Sequence, residues 1–308
     1  MNMPSTTMPR ATPIRAALLM ACSTVFFGMM AVSIRLASKS LHTFEVAFFR
    51  NLFGLVAALP LLVKHGPELL NTGQLPRYLF RCVVGTASMM AGFWAIGHLP
   101  LAQAVSLSYS SPIFVTIAAV IFLGEQVRAR RWAAVALGFV GVLIIVRPGS
   151  ASFTFGSLVA LSAAVLSGIV SIQIKQLSKV EPADRIVFFT TAIWVPMSLL
   201  PALTVWTWPQ GIAWVWVIAA GLLGTGGHML WTRALKLGDV SALTPISFLQ
   251  LPLVAIAGWL LFQEPVDRWT AIGAGVIFAA NAYIAHREAR LARQTATHAP
   301  VEAAQPGE

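Results

Sequence analysis

Four polar side chains lie beside two prolines that interrupt apolar stretches of the chain. The serine-rich stretch 106–111 precedes Pro112, and the stretch 247–250 precedes Pro252. Proline has no backbone N–H, so it releases a carbonyl one turn earlier, and matched interruptions of this kind mark binding sites in membrane helices. Serines that only let helices approach closely are the alternative. The predicted hydrogen-bonding residues are Tyr109, Ser110, Ser247 and Gln250.

His228 is the titratable side chain that we expect to lie well inside an apolar segment, GLLGTGGHMLW. A histidine gains or loses a proton near neutral pH, which suits a proton-coupled or substrate-sensing role. A neutral histidine hydrogen-bonded between helices is the alternative. Three aromatic residues could stack on a flat heteroaromatic molecule, or else face lipid and packing neighbours. These are Phe27, Trp94 and Trp231.

Four charged residues near helix ends are candidates for gating or charge pairing, because charge inside a bilayer is costly. Glu45 and Arg50 are five residues apart, too far round a helix to pair, so we expect each to have another partner. Arg50 either binds an anionic substrate group or pairs with a carboxylate that holds a gate. Arg35 and Lys175 would suit matching gates, with snorkelling to the headgroups as the alternative.

Several kinds of chemistry find no support in the residues. All eleven acidic residues lie in tails, loops or helix ends, and both cysteines lie inside apolar segments. No HExxH or comparable metal-ligand spacing occurs, and Gly224-Thr225-Gly226-Gly227 lacks the strand and lysine of a nucleotide loop. Lysines and arginines are distributed between apolar runs and form no continuous basic face. We therefore expect no catalytic residues, no metal, no cofactor and no nucleic-acid partner.

The elements that position these residues must be membrane helices. Of 308 residues, 57% are hydrophobic and only 10% are charged, whereas soluble domains have about 25% charged residues. Apolar runs of roughly 20 residues suit helices that cross a bilayer. The predicted spans are Ile14–Leu36, Phe44–Val63, Tyr78–Gly97, Ala102–Leu123, Trp132–Val146, Phe155–Leu177, Ile186–Val205, Ile212–Leu235, Ser241–Phe262 and Trp269–His286.

The distribution of positive charge predicts the orientation of the chain. Most lysines and arginines fall on the side of the membrane that holds both termini, which places the termini in the cytoplasm. The few that fall toward the other side are Arg35, Lys39, Arg50, Arg147 and Arg268.

An internal repeat becomes visible when the sequence is shifted by about 140 residues. Gly85-Thr86 then matches Gly224-Thr225, and Glu125 matches Glu264, while Arg35 matches Lys175. Five helices per half is an odd number, so the second half enters the membrane inverted, as in secondary transporters. We expect an all-α integral membrane protein with ten transmembrane helices. Its predicted parts are a tail (1–13), the first repeat (14–147), the second repeat (155–287) and a tail (288–308), and Met1 to Pro13 and Arg290 to Glu308 are predicted to be disordered.

The ends of the predicted fourth and ninth helices, PIFVTIAAVIFLGEQ and LPLVAIAGWLLFQEP, resemble the EamA-type carriers of the drug/metabolite transporter superfamily. The segment LHTFEVAFFRNLFG, with Glu45 and Arg50, is similar to the branch that holds riboflavin and S-adenosylmethionine carriers. The resemblance implies a cofactor-free carrier of small organic metabolites in the bacterial inner membrane.

The absence of a carboxylate from the middle of the predicted spans favours riboflavin uptake over S-adenosylmethionine uptake, because nothing would offset the sulfonium cation. Amino-acid or drug export is a further alternative, and a channel or a membrane scaffold is the alternative outside carriers. The expected partners are a small-molecule substrate and the lipid bilayer. A homodimer could form through the small residues of the last helix, Ala271, Gly275 and Ala279.

Overall fold

The computed structural model describes residues 11–123, 129–147, 154–177, 180–237 and 249–297, together with Leu243, Ile246 and Ser247. Within these residues all regular structure is helical. Two short 3-10 helices, Gly66–Leu70 and Leu203–Val205, follow the second and eighth α-helices. The α-helices are α1 (Ala11–Ala37), α2 (Thr43–His65), α3 (Leu75–His98), α4 (Leu101–Ser108), α5 (Ser111–Leu123), α6 (Ala129–Val146), α7 (Phe155–Leu177), α8 (Ala183–Ala202), α9 (Ala213–Leu237), α10 (Gln250–Phe262) and α11 (Arg268–Thr297).

These helices confirm the predicted all-α membrane architecture. Seven stretches of the described residues are long and apolar enough to cross a bilayer, and Val135–Val146 and Gln250–Phe262 are shorter apolar helices. The predicted fourth span consists of α4 and α5 together, and α10 forms the described end of the ninth. With α11 as the last, the helices correspond to the ten predicted spans.

One detail of the helices agrees with the sequence expectation and another differs from it. The fourth span breaks at Tyr109 and Ser110, one turn before the proline that suggested an interruption. The first helix begins at Ala11 and the last helix continues to Thr297, so the predicted disorder of the two tails was wrong for residues 11–13 and 290–297. The segment ARLARQTAT is rich in alanine, leucine, arginine and glutamine, which are good helix formers.

Equivalent helices of the two halves pack in opposite directions. The end of α2 meets the start of α8, where His65 lies 2.8 Å from Asp184. The end of α6 likewise meets the start of α11, where Arg147 lies 2.9 Å from Asp267. Antiparallel packing of equivalent helices is what an inverted repeat requires.

The remaining helix contacts also exchange when the halves are exchanged. Helix α1 packs on α9 as α7 packs on α3, and α2 contacts α9 as α8 contacts α3. Helix α1 contacts α10 as α7 contacts α5. The bundle is therefore built as two repeats related by approximate two-fold symmetry.

Helices α6 and α11 meet along a seam of glycines. A Cβ atom added to Gly273 would lie 2.6 Å from the carbonyl oxygen of Gly141, and one added to Gly141 would lie 2.9 Å from that of Gly273. The small residues singled out in the sequence, Ala271, Gly275 and Ala279, are exposed instead. The homodimer stays a prediction.

Candidate functional site

The break between α4 and α5 brings Tyr109 against the start of α10. The Tyr109 hydroxyl donates to the carbonyl oxygen of Ser247 at 2.5 Å and lies 3.0 Å from Oε1 of Gln250. Three of the four predicted hydrogen-bonding residues therefore meet. The fourth, Ser110, is completely buried, and its hydroxyl donates to the carbonyl of Leu107 at 2.6 Å. Their roles toward a substrate stay predictions.

Asn281 of α11 holds the broken segment from the other side. The backbone N–H of Ile113 donates to the carbonyl oxygen of Ser110 and not to that of Tyr109. Nδ2 of Asn281 donates to the Tyr109 carbonyl oxygen at 2.9 Å. Asn281 is 3% exposed. The sequence analysis missed this residue, although an amide inside an apolar run was a usable signal, because buried amides need partners.

Phe27 and His228 come together between α1 and α9. Their rings lie 5.0 Å apart in an edge-to-face arrangement. Close packing of the two helices makes this possible, because a Cβ atom on Gly227 would lie 3.0 Å from the Phe27 ring. On the neighbouring residue of α1, a Cβ atom on Gly28 would lie 3.7 Å from Gln250. Successive residues of α1 therefore contact α9, at Phe27, and α10, at Gly28.

The other two predicted aromatic residues lie apart from this pair. Trp94 stacks on His98 with ring centroids 4.0 Å apart, and both line a cavity of about 640 Å³ formed by the ends of α3 and α6 and the starts of α4, α7 and α11. Trp231 is 42% exposed on α9. Phe27 is therefore the predicted aromatic side chain that contacts His228.

A second group in the middle of the bundle contains Arg50, Arg81 and Trp194. Each guanidinium carbon lies 6.0 Å from the centroid of the Trp194 ring, at the limit of a cation–π contact. On α9, Gly224 lies against Arg50, about one turn before His228. We define Arg50, Arg81 and Trp194 as the arginine–tryptophan cluster.

Arg81 and Trp194 were missed by the sequence analysis. The charge distribution assigned Arg81 to the side of the membrane that holds both termini. His228 lies inside a span, but Arg50 and Arg81 are also buried inside helices. Arg81 is 6% exposed, and its Nη1 donates to the Thr190 hydroxyl. A charge several residues inside an apolar run was the available signal.

Among the described residues, Arg50 pairs with no carboxylate. Its Nη1 donates to Oδ1 of Asn51 at 2.9 Å, and Asn51 in turn donates to the Ser198 hydroxyl at 3.1 Å. Glu45 is 1% exposed and accepts from the backbone N–H groups of His42 and Thr207 and from the Thr207 hydroxyl. Glu45 and Arg50 thus have separate partners, as their spacing indicates.

Arg35 pairs with a carboxylate at a helix end. Its Nη2 lies 2.5 Å from Oε1 of Glu264, and its Nη1 donates to the carbonyls of Ile96 and Gly97. The other carboxylate oxygen of Glu264 accepts from the backbone N–H of Leu101 at 2.8 Å. This Glu264 clamp ties together the ends of α1, α3 and α10 and the start of α4, and we name that side of the membrane the Glu264 face. The side chain of Lys175, the predicted equivalent of Arg35, lies outside the described residues.

The opposite side, the Glu181 face, has its own carboxylate contacts. Glu181 accepts from the Thr72 hydroxyl at 2.5 Å and from Nη1 of Arg185 at 2.7 Å. Burial raises the pKa of Glu181, but the hydrogen bonds from Thr72 and Arg185 and the Arg185 charge together lower the pKa below its ordinary value. Carboxylates therefore connect segments at both ends of the bundle.

An all-helical inverted repeat, with ion pairs at both faces and polar and aromatic groups between them, belongs to the class of membrane carriers. The sequence profile of the EamA-like transporter family matches residues 14–147 and 154–285. The chain therefore belongs to the EamA-like transporter family, as the sequence resemblance indicated.

Individual relatives agree with this assignment. A riboflavin transporter of Vibrio cholerae serotype O1 is 29% identical over 289 residues, covering 92% of this chain and 96% of that protein. An S-adenosylmethionine uptake transporter of Rickettsia felis is 29% identical over 248 residues, covering 80% and 84%. A crystal structure of 19% sequence identity matches the fold with a TM-score of 0.63, covering 90% of this chain and 98% of that one.

Proposed function

We propose that this protein is a secondary transporter that takes up riboflavin across the bacterial inner membrane by alternating access. The observation that carries the proposal is the chemistry of the middle of the bundle. Aromatic rings and hydrogen-bonding groups meet there, and the carboxylates of the described residues are at helix ends and faces. A flat, neutral heteroaromatic molecule is bound by stacking and hydrogen bonds, which is what these groups offer.

S-Adenosylmethionine uptake is the second candidate, since a relative carries that name. Its sulfonium and amino groups are positive, and the middle of the bundle already holds two buried arginines, Arg50 and Arg81. Like charges in a low-dielectric site repel strongly. The arginines therefore favour riboflavin, whose ring carbonyls accept hydrogen bonds. Amino-acid or drug export is the remaining alternative.

Alternating access requires a contact that closes one side and can be broken. The Glu264 clamp is such a contact, because it joins α1 and α3 of one half to α10 of the other. With both termini in the cytoplasm, the Glu264 face is periplasmic. Alkaline phosphatase fused after Pro209 should then be active, and the same fusion after Arg130 should be inactive. The reverse pattern would overturn the orientation.

The function is tested in a riboflavin auxotroph that lacks its own importer. Expression of this protein should restore growth on micromolar riboflavin, whereas His228→Ala and Gln250→Ala should reduce the rate of saturable uptake. Trp259→Phe is the matched control, because Trp259 is 62% exposed on α10. No growth despite confirmed expression in the membrane rules out riboflavin uptake.

Counterflow in proteoliposomes distinguishes a carrier from a channel. Saturable exchange of labelled riboflavin against an internal pool is expected of a carrier. Flux that never saturates would instead support a channel.

A further inference from the structure

Three buried hydrogen-bond donors in the arginine–tryptophan cluster have no partner among the described residues. They are Nε of Arg50, Nε of Arg81 and Nε1 of Trp194. A buried polar group without a partner is costly and rare in native proteins. All three atoms are donors and belong to residues that lie around one ring, so a bound molecule that presents several acceptors would offer them partners.

The charges of the cluster lead to the same conclusion. Arg50 and Arg81 are 5% and 6% exposed, and among the described residues neither forms an ion pair. Each guanidinium has five N–H donors; among the described residues Arg50 donates to Asn51 and Arg81 donates to Thr190, and the Nε atom of each arginine has no partner. Buried cations need a compensating partner, and the Trp194 ring compensates them only in part.

Two equivalent glycines provide the space for the cluster. A Cβ atom on Gly85 would lie 3.1 Å from the Trp194 ring, and one on Gly224 would lie 2.8 Å from Nη2 of Arg50. These are the glycines that match when the halves of the sequence are superimposed. The glycines of the two matched Gly-Thr pairs therefore make room for Trp194 and Arg50, because a side chain at either position would collide with the cluster.

The two arginines approach Trp194 from opposite sides of the membrane. Arg50 lies in the first half of α2, which begins at the Glu264 face, whereas Arg81 lies in the first half of α3, which begins at the Glu181 face. Trp194 lies near the middle of α8. In a carrier that opens to alternate sides, each arginine therefore lies toward a different opening.

We propose that Arg50, Arg81 and Trp194 form a donor-only site that binds an acceptor-rich edge of the transported molecule, either ring carbonyl oxygens or a carboxylate. This inference rests on the proposed function, under which the edge is the pyrimidinedione of riboflavin. Stacking near Phe27 and His228 then holds the remainder of the ring system. The site selects against molecules that present only cations or donors.

The first test measures riboflavin binding by the quenching of flavin fluorescence, with purified protein in lipid nanodiscs. Arg50→Gln and Arg81→Gln should each weaken binding by about 10-fold to 100-fold, and Trp194→Phe, which removes one donor and keeps a ring, by about 5-fold. Arg77→Gln and Trp259→Phe are matched controls, because Arg77 is exposed one turn from Arg81 and Trp259 is exposed on α10. Both should bind riboflavin as the wild type does.

A second test asks whether the arginines contact the carbonyl edge itself. In 2-thioriboflavin and 4-thioriboflavin one carbonyl becomes a thiocarbonyl, a weak acceptor. The wild type should bind at least one of them about 10-fold more weakly than riboflavin, and the affected arginine variant should lose this discrimination. A general loss of structure would weaken both ligands equally. If the glutamine variants are not monodisperse, the same affinities are measured with Arg50→Lys and Arg81→Lys. These variants should bind riboflavin with an affinity between those of the wild type and the glutamine variants.

The outcomes separate the site from the proposed substrate. If the wild type binds riboflavin and both arginine variants bind it equally well, the donor site is wrong and riboflavin transport stands. If the wild type does not bind riboflavin, the proposed function fails, and indole-3-acetate, a planar carboxylate, becomes the probe. Binding of indole-3-acetate that weakens in the arginine variants supports the site, and absent or unchanged binding overturns it.

Discussion

The ends of the bundle and its middle treat positive charge in opposite ways. At the Glu264 face Arg35 and Arg147 pair with Glu264 and Asp267, and at the Glu181 face Arg185 pairs with Glu181. In the middle, Arg50 and Arg81 lie beside an indole ring and pair with no described carboxylate.

This difference follows from where the carboxylates are used. Those at the faces join segments that are distant in sequence, close to water that lowers the cost of charge. The middle is left positive in a region of low dielectric, where an acceptor interacts strongly. The ion pairs at the two ends therefore hold helices together, and the arginines in the middle can bind an acceptor group of a transported molecule.

The largest expected effect comes from breaking the Glu264 clamp. Glu264→Gln removes the charge that pairs with Arg35, and we expect the closed state to lose about 3 kcal/mol, because a partly buried guanidinium then lacks its partner. Labelling of a cysteine placed at Ser38 by a membrane-impermeant reagent should become much faster. The double variant Arg35→Gln/Glu264→Gln should label no faster than either single variant. Additive increases in the labelling rate would contradict the pairing.

The next effect concerns Glu45 at the same face. Glu45→Gln keeps the shape of the side chain but removes the charged acceptor for His42 and Thr207, and should lower the free energy of unfolding by about 2 kcal/mol. Thermal unfolding in detergent measures the loss. Glu68→Gln, on an exposed 3-10 helix, is the control and should leave the melting temperature unchanged. Equal melting temperatures for both variants would contradict the stabilising role of the Glu45 hydrogen bonds.

A smaller effect is expected from the neutral polar contacts of the middle. Tyr109→Phe removes the hydroxyl that reaches Ser247 and Gln250 and should weaken riboflavin transport by about 5-fold, equivalent to about 1 kcal/mol. Tyr283→Phe is the control, because Tyr283 is 46% exposed on α11. Equal uptake rates for Tyr109→Phe and the wild type would remove Tyr109 from the site.

The smallest effect is the pH dependence that Glu181 contributes. Because folding lowers the pKa of Glu181 below the ordinary value of 4.5, its contribution is complete above that pH and is lost as the pH falls through the lowered pKa. In Glu181→Gln, the free energy of unfolding should therefore fall by about 0.5 kcal/mol less than in the wild type as the pH is lowered, the size expected for an i,i+4 pair. An unchanged acid limb between pH 5 and about pH 3, near the range where carboxylates titrate, would contradict this role.

Sequence patterns predicted the helices and the repeat well because both arise from properties carried by the chain itself. The length of the apolar runs predicted the spans, and Pro112 predicted the break at Tyr109. The separate partners of Glu45 and Arg50 also followed from their spacing. These features depend on local geometry and on hydropathy, which a single sequence contains.

The cluster around Trp194 could not be predicted in the same way. Arg81, Trp194 and Asn281 each matter because of a neighbour on another helix, and that neighbour depends on how the helices rotate against each other. Arg81 also fitted the charge count of a membrane face. A residue that satisfies one rule of membrane topology can thus conceal a contact formed only by packing.

The glycine seam between α6 and α11 has a consequence for sequence variation. A side chain at Gly141 or Gly273 would meet backbone atoms of the opposite helix, and the backbone cannot rotate away as a side chain does. A saturation library screened for transport should therefore recover almost no substitutions at these positions, while Gly275, with open space around it, should accept many. Duplication made these two helices equivalent, and their mutual contact now restricts both copies at once.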